Sequence, residues 1–308
     1  MSGIRRAQDG DEKGDARVNH GEAARAGRVA MVCLGLFLAP ACLVRRHVIP
    51  TGGNRQNLPL MNATKEELIA RIHQISDPID SFLIRADLSP SVVNPSKRVV
   101  TEYATIGAYI LFRRPNDLRI IGQEPVMSTT ILDMASTGNE FHVYLPTKNR
   151  FLVGQSDVPG TSKNVLENLR PSAFLNSLLI APPDPETSVT LLEDDTDNTK
   201  AIYILLILDR QRGRLLPGRN VYFDRYSLQI IEQKAFDPLG AIISDTKYSN
   251  WKRYGNVEFP SGIDIRRPRE NYEVQLTVLS VKINAAANVT PEKFVLRQPE
   301  GTKLEQLN

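Results

Sequence analysis

From Ser81 onward the apolar residues of this chain recur at every second position, and that period limits what it can fold into. In Val99–Arg114, Ala104, Ile106, Ala108, Ile110 and Phe112 share one face, while Tyr103, Thr105, Gly107, Tyr109 and Leu111 share the other. Side chains that alternate between two faces belong to a β-strand. Turn chemistry punctuates the series. Arg113–Asp117, Ser136–Asn139 and Pro146–Asn149 set off Leu118–Gly122, Thr129–Met134, Glu140–Leu145 and Arg150–Gly154 as strands. Phe82–Leu88 precedes them across a Pro-containing gap. Short strands joined by tight turns predict an antiparallel meander that curves strongly or forms a barrel.

A second meander is expected at Val189–Leu192, Ala201–Asp209, Asn220–Ile231, Ala241–Lys252, Gly262–Pro268 and Tyr272–Asn284. Ile202–Leu208 is apolar on both faces, which predicts cover on both. Arg212–Arg219 reads as a loop that is both basic and apolar. In the last strand Tyr272, Val274, Leu276 and Val278 share a phase that Leu279, Val281 and Ile283 do not. That slip predicts a bulge or bend.

Two helical stretches interrupt the period of two. Thr64 with Glu67 forms a capping box, and behind it Leu68, Ile69, Ile72, Ile75 and Ile79 recur at helical spacing up to about Ser76, before Pro78. In Lys163–Ile180, Val165, Leu166 and Leu169 precede Pro171, and Phe174, Leu175, Leu178 and Leu179 follow it. Two short helices here would cover one open side of the sheet. The predicted fold class is therefore mainly β with some α. A single curved antiparallel sheet would carry an N-terminal helix and mid-chain helices.

Upstream, Arg25–Cys42 has the layout of a secretory signal: basic residues, a short apolar run Val29–Leu38, then Ala39-Pro-Ala-Cys42. The run is too short to span a bilayer, which needs about 20 residues. We expect residues 1–41 to be leader and signal, 42–61 a flexible tether, and 62–308 one domain. Cys33 and Cys42 are the only cysteines, so the domain has no thiol for a disulfide or a thiolate metal site. The net charge of +3 argues against a nucleic-acid partner. No nucleophile elbow, zincin helix, phosphate loop or paired Cys/His site occurs, so neither enzyme activity nor a cofactor is expected. Asp194, Asp195 and Asp197 could be read as a calcium cluster, but a polar turn between Leu192 and Ala201 accounts for them.

Several stretches resemble the LolA/LolB superfamily of lipoprotein carriers and receptors. Arg114–Arg119 is similar to its basic, Pro, Leu-Arg turn into a strand. EFHVYLPTKNR at Glu140–Arg150 is similar to its Tyr-x-Pro hairpin, and Asn284–Leu307 to its C-terminal signature of Asn, a Phe strand and Pro-x-Gly. The order of elements over Thr64–Asn308 also matches. Ala41-Cys42 resembles a lipobox, with Cys42 the acylated residue, although Ala39 stands where Leu is usual.

The resemblance implies a half-open, incomplete β-barrel whose apolar concave face accepts acyl chains of lipoproteins or lipids. Ile106, Ile110, Phe112, Ile120, Leu132 and Leu276 would line the cavity, with Phe174, Leu175 and Leu178 as its lid. A lipid-anchored member would belong to the receptor branch at the periplasmic face of the outer membrane, and its partners would include a periplasmic carrier protein. That branch touches the bilayer with an apolar loop. Val126 and Met127 are the candidates, with Leu215 and Leu216 next, against the reading that the first pair packs back on the sheet. Arg113 and Arg114 are either a solvated turn or clamps on helix-end carbonyls. The competing reading of the whole chain is a structural envelope lipoprotein that recruits partners without a lipid ligand.

Overall fold

The computed structural model describes residues 59–94, 98–156, 170–197, 199–285 and 289–307. The leader, Cys42 and all but the end of the tether lie outside these residues, as does the first half of Lys163–Ile180. Helix α1 (Lys65–Ser76) starts where the capping box puts it: Thr64 Oγ1 accepts from Glu67 N at 3.2 Å, and Glu67 Oε2 accepts from Thr64 N at 2.7 Å. Its buried stripe is Leu68, Ile72 and Ile75, each side chain contributing about 1.5–3 kcal/mol by leaving water.

Among the described residues fifteen strands form one sheet, and β1 (Ser81–Asn94) lies at its middle. On one side follow β3 (Ile106–Arg113), β4 (Asp117–Gln123), β5 (Thr130–Thr137), β6 (Glu140–Leu145) and β7 (Arg150–Gln155). On the other come β14 (Tyr272–Ile283), β13 (Val257–Arg267), β12 (Ile242–Tyr254), β11 (Ile230–Phe236), β10 (Arg214–Asp224), β9 (Ala201–Gln211) and β8 (Ser188–Thr196). A short β2 (Val99–Glu102) folds back on the far end of β1, and β15 (Lys303–Gln306) caps the β7 edge. These neighbours are antiparallel except β15 and β7, which are parallel. The two outermost strands, β15 and β8, are not paired with each other, so the barrel stays open.

The inner face carries the core. Phe82, Ile84, Ile110, Phe112, Leu205, Val221, Phe223 and Ile263 are fully buried there with α1 and helix α2 (Pro171–Leu178) against them. The outer face of β3 is covered where the sequence left Leu111 apolar. A 3-10 turn at Pro291–Phe294 lays Phe294 and Val289 over Leu111 and Leu83. The Phe strand expected in the C-terminal signature is thus this 3-10 turn, because Pro291 sets its first residue and the chain must fold tightly onto the sheet.

The predicted slip in β14 is a bulge. Arg85 pairs with Ser280 but Ala86 pairs with Val278, so Leu279 is the extra residue and stands half out in solvent. Four expectations need correction. Val99–Arg114 is not one strand but two, β2 and β3, with a break at Tyr103–Thr105. The Pro-containing gap after Leu88 is strand: β1 runs on through Pro90, which sits between the β2 and β3 pairings, where its carbonyl accepts from Tyr103 N at 2.9 Å and the regular ladder that its missing N–H would break is interrupted. Asn220–Ile231 is two strands, split by a turn in which Asp224 accepts from Ser227 Oγ and Leu228 takes φ 55°. A leucine in that left-handed position carries no turn signal. Finally, Arg212–Arg219 is not a loop; the turn is only Arg212-Gly213, and β10 begins at Arg214 with Leu215 and Leu216 in it. Of Ile202–Leu208, the inward residues are buried while Ile202, Leu206 and Leu208 are covered in part.

Candidate functional site: an apolar cavity at one end of the half-barrel

At the end of the sheet toward which β1 runs, the inner face opens into a cavity of about 540 Å³. Ile120, Leu132 and Met134 of β4 and β5 form its floor, and Leu88, Pro90 and Ile106 form one wall. Tyr272 and Val274 of β14 make another wall, and Phe174 of α2 covers it. Polar groups are few and sit toward the rim, among them Thr147, Lys148 and Glu273. An apolar, preformed concavity of this size at the mouth of a β-barrel suits an apolar ligand. The Tyr272 hydroxyl is buried and finds no hydrogen-bond partner among the described residues; burial pushes its phenol up to about 12.

Of the residues expected to line the cavity, Ile106, Ile120 and Leu132 do. Ile110, Phe112 and Leu276 lie on the same inner face but deeper, packed into the core without bordering the space. From the lid stripe only Phe174 faces the cavity. Leu175 borders a smaller polar recess near Asn116 and Ser172, and Leu178 is buried beside Ile79 and Tyr248. The periodicity identified the face but not the depth, because the inner faces of all strands read alike. Pro90 was missed as a lining residue because it fell in the expected gap, and Tyr103 because the alternation of Val99–Arg114 put it on the face opposite Ile106, whereas the strand breaks there between β2 and β3. Tyr272 was missed because nothing in the alternation marks which strand end is open.

Val126 and Met127 stand clear of the sheet at 87 % and 80 % exposure, which excludes their packing back. Their loop, between β4 and β5, is stiffened by one side chain. Glu124 accepts from Met127 N at 2.6 Å and from Val126 N at 3.0 Å, and those two donors hold its carboxyl below the usual range. Arg114 does clamp helix-end carbonyls, donating to Ser76 O at 2.8 Å and Ile79 O at 2.7 Å, but at the end of α1 rather than on α2. Arg113 instead pairs with Asp117. The Asp194 cluster is engaged by neighbours: Asp194 by Arg225, Asp195 by Lys200, and Asp197 by Thr199 and the Lys200 backbone. Among the described residues no group of three or more His, Cys, Asp or Glu is placed to hold a metal, and no helix is long and apolar enough to cross a membrane.

Neither a family model nor a curated protein matches the sequence. Solved structures do. A DUF1329 family protein from Desulfovibrio piger superposes with a TM-score of 0.50 at 14% identity, over 75% of this chain and 98% of that one. A LolA superfamily protein from Nitrosomonas europaea gives 0.47 at 12% identity, over 76% and 99%. An outer membrane lipoprotein-sorting domain from Vibrio parahaemolyticus gives 0.45 at 12%, over 75% and 97%. Likeness at such identity speaks to fold alone. With its open sheet, covering helices and apolar concave face, the chain shares the fold of the DUF1329 family protein.

Proposed function

We propose that this protein binds acyl chains of lipoproteins or lipids in the apolar cavity and sorts them at the bacterial outer membrane, without bond chemistry. The observation that carries this reading is the cavity itself: preformed, apolar along its walls, and open at one end of the half-barrel. Burying an acyl chain there gains ~0.8 kcal/mol per methylene, so affinity needs no charged anchor. Cys42 acts as the lipid anchor, the Val126–Met127 loop meets the bilayer, and cargo passes between this chain and a periplasmic carrier.

Titration of the delipidated full chain with a fluorescent fatty acid tests the reading. Leu132→Trp fills the floor and is expected to weaken binding at least tenfold, while Tyr109→Trp on the outer face leaves it unchanged. Equal binding by all three, with folding verified by circular dichroism, would sink the proposal. Intact mass of membrane-extracted protein tests the anchor: acyl chains on Cys42 are expected, and an unmodified thiol or a cut elsewhere overturns it.

A further inference from the structure

We propose that the β9–β10 hairpin and the β11–β12 loop form a second docking point, which seats the open end of the half-barrel on an anionic lipid surface. The proposal rests on the membrane role of that end, but on residues other than Val126 and Met127. Leu239, at the tip of the β11–β12 loop, is 93 % exposed, more than any other large apolar side chain among the described residues. Its loop is held rigid. Asp237 Oδ1 accepts from Leu239 N at 2.9 Å and Ala241 N at 2.8 Å, Gly240 N donates to Asp237 O at 2.9 Å, and Arg269 pairs with the same carboxylate. A carboxylate that ties down a loop backbone and leaves the tip side chain bare is the arrangement seen at Glu124 beneath Val126 and Met127.

The register places these features together. Gln123 pairs with Gly107, and Gly107 with Asp87 of β1, so the β4–β5 loop leaves toward the Asn94 end. Through β12, β13 and β14, Asp245 aligns with Arg266, Glu273 and then Ser91 of β1, so the β11–β12 loop leaves at the same end. The β9–β10 turn lies beside it, and a Cβ on Gly240 would sit 4.0 Å from Pro217. That hairpin tip carries Arg210, Arg212 and Arg214, whose guanidinium groups make no ion pair or hydrogen bond among the described residues, and Leu215, 53 % exposed. Of the nearby acids, Asp184 binds its own turn and Asp237 pairs with Arg269, while Asp209 lies below the tip, within electrostatic reach of Arg219. Three free guanidinium groups beside rigidly presented leucines match phosphate headgroups above an apolar layer. Each arginine near such a surface raises affinity roughly fivefold at low salt.

The test uses the full chain with Cys33→Ala and Cys42→Ala, carrying an environment-sensitive fluorophore on Leu239→Cys, on Met127→Cys, or on Glu66→Cys in the first turn of α1. With phosphatidylcholine–phosphatidylglycerol vesicles we expect a blue shift at 239 and none at 66. Apparent affinity should be at least tenfold weaker on pure phosphatidylcholine, and Arg210→Gln/Arg212→Gln/Arg214→Gln should reduce it to that level. Silence at 239, equal affinity for both vesicles, an equal shift at 66, or a shift that needs added protein rather than lipid each overturns the proposal. A shift at 127 with 239 silent leaves the Val126–Met127 contact standing and removes only the second one. Fatty-acid binding in solution reads the cavity alone, so the two failures are separable.

Discussion

Asn284 holds a left-handed backbone, φ 52°, and spends its whole side chain on the turn between α1 and β1. Its Oδ1 accepts from Asp80 N at 2.8 Å and Ser81 N at 3.1 Å, its Nδ2 donates to Pro78 O at 2.6 Å, and its backbone N donates to Ser81 O. Asparagine is suited to this position because it tolerates positive φ and mimics a backbone turn. Loss of three bonds at about 1 kcal/mol each makes Asn284→Ala destabilising by about 3 kcal/mol, while Asn284→Gly recovers the backbone part only. Urea unfolding with an unchanged slope checks this. The asparagine was legible as part of a C-terminal signature, yet its partners lie 200 residues upstream and no local pattern announces them. Thr64 is the opposite case. Both halves of its capping box are three residues apart, so the sequence alone shows them. Leu228 and Pro90 were illegible because each breaks a propensity rule that only tertiary context permits.

Among the elements, β15 is the one that ionic contacts hold most visibly. Glu305 meets Arg150 of β7 and Lys303 of its own strand, and these cations lower its carboxyl to about 2. A carboxyl whose folded value is depressed contributes stability above its unfolded value, near 4.5, and that contribution is lost as pH falls toward 2. Protection of the Lys303–Gln306 amides in hydrogen exchange is therefore expected to drop between about pH 4.5 and 2, ahead of β4 and β5. Glu305→Gln should show the low-pH exchange at neutral pH. If protection falls evenly across the sheet, the ion pairs are not what holds this strand. β15 was missed in the sequence because Lys303–Gln306 is too short and polar to show a period. The bulge in β14 was legible because an apolar phase that slips by one residue has only one backbone explanation, an extra residue on that strand. The two meanders could be read from turns and alternation, though as twelve runs rather than fifteen strands, and nothing in the pattern showed that β1 pairs with β14. The parallel closure by β15 and the split at Asp224–Gln229 could not be read, since neither carries Gly, Pro or alternation at the right place.

For the whole molecule, the sheet has two unlike ends. The open end carries the cavity mouth, Val126, Met127 and Leu239. At the other end the chain enters the domain: Met61 N donates to Arg225 O, and Arg225 holds Asn62, Asp194 and Thr196 while lying over the Tyr203 ring. The described chain thus joins the half-barrel at the end away from its apolar loops. The 14 residues of β1 span about 46 Å at ~3.3 Å each. The 17 residue steps from Cys42 to Pro59 reach at most about 60 Å when fully extended. With the anchor on Cys42 as proposed, residues 42–59 would be just long enough for the open end to meet the membrane that holds it, and shortening them should forbid that contact. Deleting residues 47–55 leaves a reach of about 30 Å, less than the length of β1. We expect this variant to bind fluorescent fatty acid in solution as before. On vesicles carrying the anchored protein it should lose the blue shift of a fluorophore at position 127, and a Gly/Ser segment of equal length should restore it. Contact that persists after the deletion would mean that the apolar loops reach a second, facing membrane, and the half-barrel would then bridge two surfaces rather than lie on one.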